Sequence, residues 1–155
     1  MPNPYLGGMV ISGAAGMWDT GFGDALKLTN VVLVGSRDID PDEQELIDKG
    51  PPQGPALVRV GADLPGRLRE AVAGRPVYVH LDCDVLEPGI VPTEYLSPNG
   101  LQLSDLRAAF AVLAEHEVVG FEIAEFQTKW QETDAPASSA ALIEAVEPVL
   151  LACGS

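Results

Sequence analysis

The stretch PVYVHLDCDV, residues 76–85, decides the fold class of this 155-residue chain. Its first six residues form a mainly apolar, β-branched run, which predicts a strand. Asp82 and Asp84 follow two residues apart, so both side chains can point to the same side of the chain. In a parallel α/β sheet, ligands bind beyond the carboxyl ends of the strands. The stretch therefore predicts a sheet strand with a candidate site at its end.

Predicted helices and further predicted strands flank this strand in the sequence. Asp40-Pro41 with Glu43 is a capping-box helix start. The apolar run at 30–35 is typical of a strand buried on both faces. Strands that alternate with helices predict an α/β fold, with three αβα layers and a mostly parallel sheet, and the length of the chain predicts one domain over residues 1–155. The further predicted strands lie at 56–60 and 118–124, and the predicted helices at 41–49, 64–73, 104–115 and 140–151.

The charge balance excludes several classes of partner. Lys and Arg number 9 against 23 Asp and Glu, which gives a net charge of −14. Nucleic-acid binding and docking on anionic lipid both need a basic surface, so we expect neither. The balance is compatible with a small cationic substrate, and equally with a plain acidic surface. Two cysteines give no disulfide framework, and no basic residue precedes the glycine-broken apolar stretch 6–17, so we expect a soluble cytoplasmic protein.

Asp82 and Asp84 have two interpretations. Two neighbouring carboxylates repel each other unless a cation lies between them, and such hard oxygen donors suit Mg²⁺, Mn²⁺ or Ca²⁺. In the alternative, one aspartate caps the next turn and the other is solvated. The spacing alone leaves both interpretations open. Cys83 lies between the aspartates, should face the opposite way and is predicted to be a buried structural thiol.

A second candidate lies in FEIAEF, residues 121–126. Glu125 comes just past an apolar strand, where another ligand or substrate contact would lie. Glu122 is three residues earlier and should face the other way. The alternative for Glu125 is a strand-end acid that meets solvent or an arginine. The loop 93–97 could form a wall of the same cleft.

Taken together, these segments resemble the ureohydrolase family, which includes arginase, agmatinase and formiminoglutamase. The resemblance covers the C-terminal half of the family's domain. It implies an arginase-like but incomplete fold, with two Mn²⁺ ions at the strand ends and water attack on a guanidinium or related amidine carbon. The segments that carry it are VGSRDIDP (34–41), HLDCDVLEP (80–88), Pro92, PNGL (98–101) and GFEIAE (120–125).

The resemblance also implies residue roles. Asp82 resembles the carboxylate that bridges both metals, and Asp84 resembles a ligand of one metal. Glu125 resembles the catalytic acid that binds the guanidinium of the substrate. Asp40 resembles an acid that contacts the far end of the substrate in some members, with the helix N-cap as its alternative.

Two segments of the family pattern do not occur in this sequence, a Gly-Gly-Asp-His turn and an Asp-Ala-His-x-Asp strand end. Asp82 and Asp84 alone leave two metals under-coordinated, so we expect weak or no binding of a metal pair by the isolated chain. His80 lies two residues before Asp82 and could point the same way, whereas His116 is expected to be solvated at a helix end.

The leading hypothesis is therefore a dinuclear-manganese hydrolase of guanidino or related amidine C–N bonds. It would act with a complementing N-terminal half, or as a homo-oligomer. One alternative is a non-catalytic remnant or interaction module of the same fold. Another is an unrelated α/β domain that binds a single Mg²⁺ through Asp82 and Asp84.

Overall fold

A computed structural model of the chain describes residues 6–153. The chain divides into two compact units. The first comprises Met1–Leu33 and Asp38–Leu57, and the second comprises Val34–Arg37 and Val58–Ser155. None of the helices within residues 6–153 is long and apolar enough to cross a membrane.

The first unit contains short elements. A 3-10 turn over Leu6–Met9 leads into helix α1, Val10–Ala14, and helix α2 spans Pro41–Lys49. The α2 start confirms the predicted capping box, because the Asp40 amide donates to Glu43 Oε2 at 3.1 Å. This bond pairs one of the amides that a helix start leaves without an intrahelical partner.

Strands β1, Val32–Val34, and β2, Ala56–Val58, pair with each other. The predicted strands at 30–35 and 56–60 are therefore confirmed but shorter. The prediction that β1 is buried on both faces is wrong, since its three residues are each half-buried. An apolar run shows which side chains avoid water, but not how many layers cover them.

The second unit is built on a βαβ arrangement. Strand β3, Val77–Asp82, and strand β4, Val118–Ala124, are parallel neighbours, and helix α4, Leu103–Leu113, connects them. Helices α3, Leu64–Val72, and α5, Ala140–Ala152, both pack against α4. The three helices match their predicted ranges to within two residues, and the parallel strands confirm the α/β class.

One face of the β3–β4 pair faces the helices. Val79 and Leu81 are buried, and Phe121 meets Phe110 of α4 edge to face, with ring centroids 5.6 Å apart. The opposite face carries Tyr78, whose side chain is 62% exposed. Because β3 and β4 are parallel and Asp82 pairs with Ala124, the carboxyl ends of the two strands lie side by side. The core also includes Leu64, Leu68, Leu106, Val112, Leu142, Val146 and Val149.

Candidate active site

Asp82 and Asp84 occupy the carboxyl end of β3. Asp82 is the last residue of the strand, and Asp84 lies in the 3-10 turn Cys83–Val85 that follows it. The Asp84 amide donates to Asp82 Oδ1 at 2.9 Å. Asp82 thus caps the turn, as the alternative interpretation of this pair required. Asp84 does not match the second half of that alternative, because it is half-buried rather than solvated.

The environment of Asp84 disfavours its charge. Burial is the main reason that its pKa is raised, and the negative charges of Asp82 and Glu125 raise it further. Hydrogen bonds from the Thr93 side chain and the Tyr95 backbone act in the opposite direction. Asp84 Oδ1 is buried and has no hydrogen-bond partner among the described residues. A buried carboxylate oxygen without a donor is costly, and a bound cation would remove that cost.

Glu125 adds a third carboxylate at the same end of the sheet. Asp82 pairs with Ala124 in the parallel register, so Glu125 is the next residue beyond that pair. Its φ of 60° lies in the left-handed region, and its side chain is exposed. The left-handed turn ends β4 and takes Glu125 out of the strand alternation.

The charges of Asp82, Asp84 and Glu125 also act on Cys83. Its side chain is 1% exposed, which confirms the predicted buried thiol. Burial, followed by the charges of Asp82, Asp84 and Glu125, raises its pKa to about 12. A thiol in this environment stays protonated near neutral pH and is a poor nucleophile.

Close backbone packing shapes the loop between Asp84 and α4. Leu101 N donates to Val85 O, and Glu87 N donates to Leu101 O, both at 2.9 Å. Gly100 lies against this ladder and donates to Glu87 Oε2 at 2.7 Å. A Cβ on Gly100 would lie 2.4 Å from the carbonyl carbon of Leu86, so only glycine fits there.

The same loop is tied to the segment after β4. Gln127 N donates to Pro92 O at 2.9 Å, two residues past Glu125. Thr93, which hydrogen bonds with Asp84, is the next residue after Pro92 and is 7% exposed. The loop 93–97 therefore lies beside the carboxylates, where the sequence placed one wall of a cleft.

Sequence reasoning missed Arg37. Its guanidinium donates to backbone carbonyls of the Asp84 turn and of the loop at Ser97. The signal was present, because Arg37 lies within the VGSRDIDP segment that carried part of the resemblance. An arginine side chain in contact with main-chain oxygens leaves no pattern in the sequence that identifies its partners.

The structure does not bring either histidine to these carboxylates. His80 Nδ1 lies 2.8 Å from Glu122 Oε1, and both side chains are about half exposed. His116 follows α4, and the prediction that it is solvated is wrong at its Nε2. That atom is buried and has no hydrogen-bond partner among residues 6–153.

Asp40 belongs to the first unit, where it caps α2. Its side chain is exposed. The helix-cap interpretation is confirmed, and contact with substrate remains a proposal.

The residues present fit part of a metal site. Asp82 and Asp84 supply hard carboxylate oxygens, and the unpaired Asp84 Oδ1 is the group that a divalent cation would satisfy. Across residues 6–153, however, no group of three or more His, Cys, Asp or Glu side chains is arranged to hold a metal ion. The donor set fits a divalent cation in chemistry and is incomplete in number.

Known proteins resemble this chain in sequence and in fold. Nω-hydroxy-L-arginine amidinohydrolase of Streptomyces lavendulae is 40% identical over 144 residues, which cover 93% of this chain and 52% of that protein. The crystal structure of Entamoeba histolytica arginase with L-ornithine matches with a TM-score of 0.71 and 18% identity, covering 100% of this chain and 54% of that one. Proclavaminate amidinohydrolase of Streptomyces clavuligerus matches with a TM-score of 0.61 and 26% identity, over 85% and 46%.

The chain spans about half the length of these relatives. The solved structures confirm an arginase-like α/β fold that is partial relative to the full structures. The model of the arginase family matches residues 2–147, which is most of the sequence. This chain therefore belongs to the arginase family.

Proposed function

We propose that this chain supplies part of the active site of a manganese-dependent hydrolase that cleaves a C–N bond of a guanidino or related amidine compound. The observation that carries the proposal is the buried, unpartnered Asp84 Oδ1, beside Asp82 and Glu125 at the ends of adjacent parallel strands. The relative from S. lavendulae, by its name, acts on such a compound.

Each carboxylate has a separate role in this proposal. Asp82 and Asp84 would hold the metal, which when bound supplies an activated water and Lewis-acid stabilisation of developing charge. Glu125 binds and orients the guanidinium, because a carboxylate matches its paired N–H groups through charge-assisted hydrogen bonds. The exposed position of Glu125 leaves it accessible to a small molecule. Asp40 would contact the far end of the substrate.

The acidic balance of the chain supports a cationic substrate. A net charge of −14 produces a field that attracts positively charged small molecules. Buried Thr93 and the exposed Tyr95 lie beside the carboxylates and would limit which substrates fit. The substrate class is thus a guanidinium or amidine cation.

The remaining metal ligands would come from outside residues 6–153. We propose a complementing N-terminal half, in the same protein or on another chain, or a homo-oligomer that shares the site. This follows from the incomplete donor set and from the half-length match to the relatives.

The test is a chimera in which this chain replaces the matching 144-residue segment of the S. lavendulae relative. Hydrolysis of Nω-hydroxy-L-arginine is measured with added Mn²⁺. We expect activity in the chimera and a loss of at least about 100-fold in Asp82→Asn and in Asp84→Asn, because mutation of a metal ligand removes transition-state stabilisation.

Asp134→Asn is the matched control, since it makes the same chemical change at a side chain that is 82% exposed. The activity of this variant should stay within about twofold of that of the parent chimera, because a substitution on the surface away from the site has little effect on the fold. A chimera that is active, and in which Asp82→Asn and Asp84→Asn behave like Asp134→Asn, would contradict the proposed roles.

One observation favours a second candidate, a non-catalytic module of the same fold. Within residues 6–153 no group of three metal-ligating side chains forms, as a remnant would allow. If the chain is such a module, the chimera folds but does not hydrolyse Nω-hydroxy-L-arginine. Asp82→Asn and Asp84→Asn then cause no further loss of activity.

A further inference from the structure

The Arg37 guanidinium is surrounded by backbone carbonyl oxygens of the second unit. Its Nε and both Nη atoms donate to five different carbonyls at distances from 2.6 to 3.2 Å. Arg37 is half-buried. The acceptors are the carbonyls of Asp84, Val85, Leu86, Ser97 and Pro98.

These acceptors belong to two separate segments. Three follow one another in the turn that carries Asp84 and in the residue after it, and two lie in the loop before α4. Nη2 alone bridges them, because it donates to Asp84 O at 2.9 Å and to Ser97 O at 2.6 Å. Arginine has five N–H donors in a rigid plane, so it can hold several acceptors in fixed directions.

Each polar group of Asp84 other than Oδ1 has a hydrogen-bond partner. Arg37 binds its carbonyl, and its amide donates to Asp82 Oδ1. Thr93 and Tyr95 hydrogen bond with its carboxylate. Only Oδ1 has no hydrogen bond among the described residues.

We propose that Arg37 is a positioning residue for the Asp84 carboxylate, which it orients by binding the main chain of the turn and of the loop before α4. This role rests on the proposed function, in which Asp84 is a metal ligand. Groups that orient a ligand affect metal affinity by about 10- to 100-fold when they are removed. Arg37 would therefore set metal affinity without touching metal or substrate.

If Arg37 only stabilised the loop, it would make the same contacts. Its substitution would then lower the free energy of unfolding, whereas substitution of a positioning residue also lowers metal affinity while the protein remains folded. The distinguishing measurement is therefore Mn²⁺ binding, made well below the melting temperature.

The experiment compares the wild-type chain with Arg37→Lys and Arg75→Lys. Lysine keeps the charge but donates from a single nitrogen, so it cannot bind all five carbonyls that the three guanidinium nitrogens of Arg37 bind. Arg75 is the matched control, because its guanidinium also binds backbone carbonyls, those of Ala71 at 2.8 Å and Val72 at 2.9 Å. These carbonyls lie at the end of α3, away from the Asp84 turn.

The probe is Mn²⁺ alone, followed by the broadening of backbone amide NMR signals, which detects weak binding. In the wild type we expect the broadening to centre on Asp84 and Glu125. The Mn²⁺ concentration for half-broadening should rise about tenfold in Arg37→Lys and stay within about twofold in Arg75→Lys. Amide signals of the buried Val79 and Leu81 at wild-type positions, recorded before Mn²⁺ is added, report that the variants are folded.

Two results separate this proposal from the proposed function. Equal Mn²⁺ binding by wild type and Arg37→Lys would overturn the role of Arg37, provided that Asp84→Asn abolishes the localised broadening. If Asp84→Asn leaves the localised broadening of these signals unchanged, the metal-ligand role fails and the role of Arg37 with it.

A measurement on the wild type covers the case in which Arg37→Lys does not fold. The guanidinium N–H signals of Arg37 should be separately resolved and slow to exchange with water, because five carbonyls hold the group. A freely rotating Arg37 guanidinium would overturn the proposal without any variant.

Discussion

The ends of β3 and β4 carry the same chemistry and are held in different ways. At the end of β3, Asp82 caps a turn, Asp84 is half-buried, and Arg37 binds the carbonyls around it. At the end of β4, Glu125 has a left-handed backbone and an exposed side chain. One end therefore has a fixed geometry, and the other leaves its carboxylate accessible.

This difference matches the two tasks proposed for the carboxylates. A metal ligand must be oriented before the metal arrives, and the hydrogen bonds at β3 provide that orientation. A group that captures a small cation from solvent has to be reachable, as Glu125 is. The end of β3 is therefore the closed end of the candidate site, and the end of β4 is its open end.

The largest expected effect concerns the thiol at the closed end. Cys83 is 1% exposed with a pKa of about 12, whereas Cys153 is exposed. At pH 8 the thiolate fraction of Cys83 is about a thousandfold below that of an ordinary thiol. Iodoacetamide should alkylate Cys153 and leave Cys83 unmodified in the folded chain, as read by peptide mass spectrometry. Equal labelling of both cysteines would show that the end of β3 is open.

Gly100→Ala tests the packing of the loop that follows β3. The new methyl group would lie 2.4 Å from the Leu86 carbonyl carbon, so backbone must move. Overpacking of this kind costs about 1–3 kcal/mol of unfolding free energy. Urea denaturation measures the loss. Gly8→Ala is the control, because nothing lies within 4 Å of its new methyl group; similar stability of the two variants would contradict the close packing.

Asp84→Asn should raise the melting temperature of the metal-free chain at pH 7. Burial raises the pKa of Asp84, so the fold favours its protonated form and its ionisation costs stability. This cost is absent below the pKa of the unfolded chain and grows as pH rises through the folded pKa. The gain from asparagine should accordingly disappear at low pH. Calorimetry from pH 3 to pH 8 tests this.

Glu132→Gln is the control, since it makes the same carboxylate-to-amide change at an exposed side chain without a positive φ and should give no comparable gain. A gain that persists unchanged at the acid end of the range would mean that the charge of Asp84 is not its cause. Asp84→Asn is also expected to abolish Mn²⁺ binding. Stability and metal binding should therefore change in opposite directions when Asp84 is substituted.

The smallest effect is at the open end. Glu125 has a φ of 60°, a conformation that asparagine adopts more readily than glutamate. Glu125→Asn should therefore gain about 0.5 kcal/mol of unfolding free energy while removing the proposed guanidinium contact. Glu132→Asn, at an exposed position without a positive φ, should gain nothing. A loss of stability in Glu125→Asn would mean that the Glu125 side chain has a structural partner.

Local sequence predicted the bounds of several helices and strands well. The strand at 118–124 and the helix at 41–49 have the observed bounds, because apolar runs and capping residues act within a few positions. The site was predicted in part. The sequence indicated Asp82, Asp84 and Glu125 as candidates, since they come at the ends of apolar strands, but it could not show that Asp82 caps the turn while Asp84 is half-buried.

By itself, the sequence determined the α/β class and the order of strands and helices, and it carried the resemblance to the family. Those features follow from the period of apolar residues and from short motifs. Only the tertiary structure decided that His80 pairs with Glu122, that Asp84 Oδ1 has no donor, and that Arg37 binds five carbonyls. Arg37 and its acceptors are about 50 to 60 residues apart in sequence. Contacts at that separation depend on how the elements pack, and no local pattern encodes them.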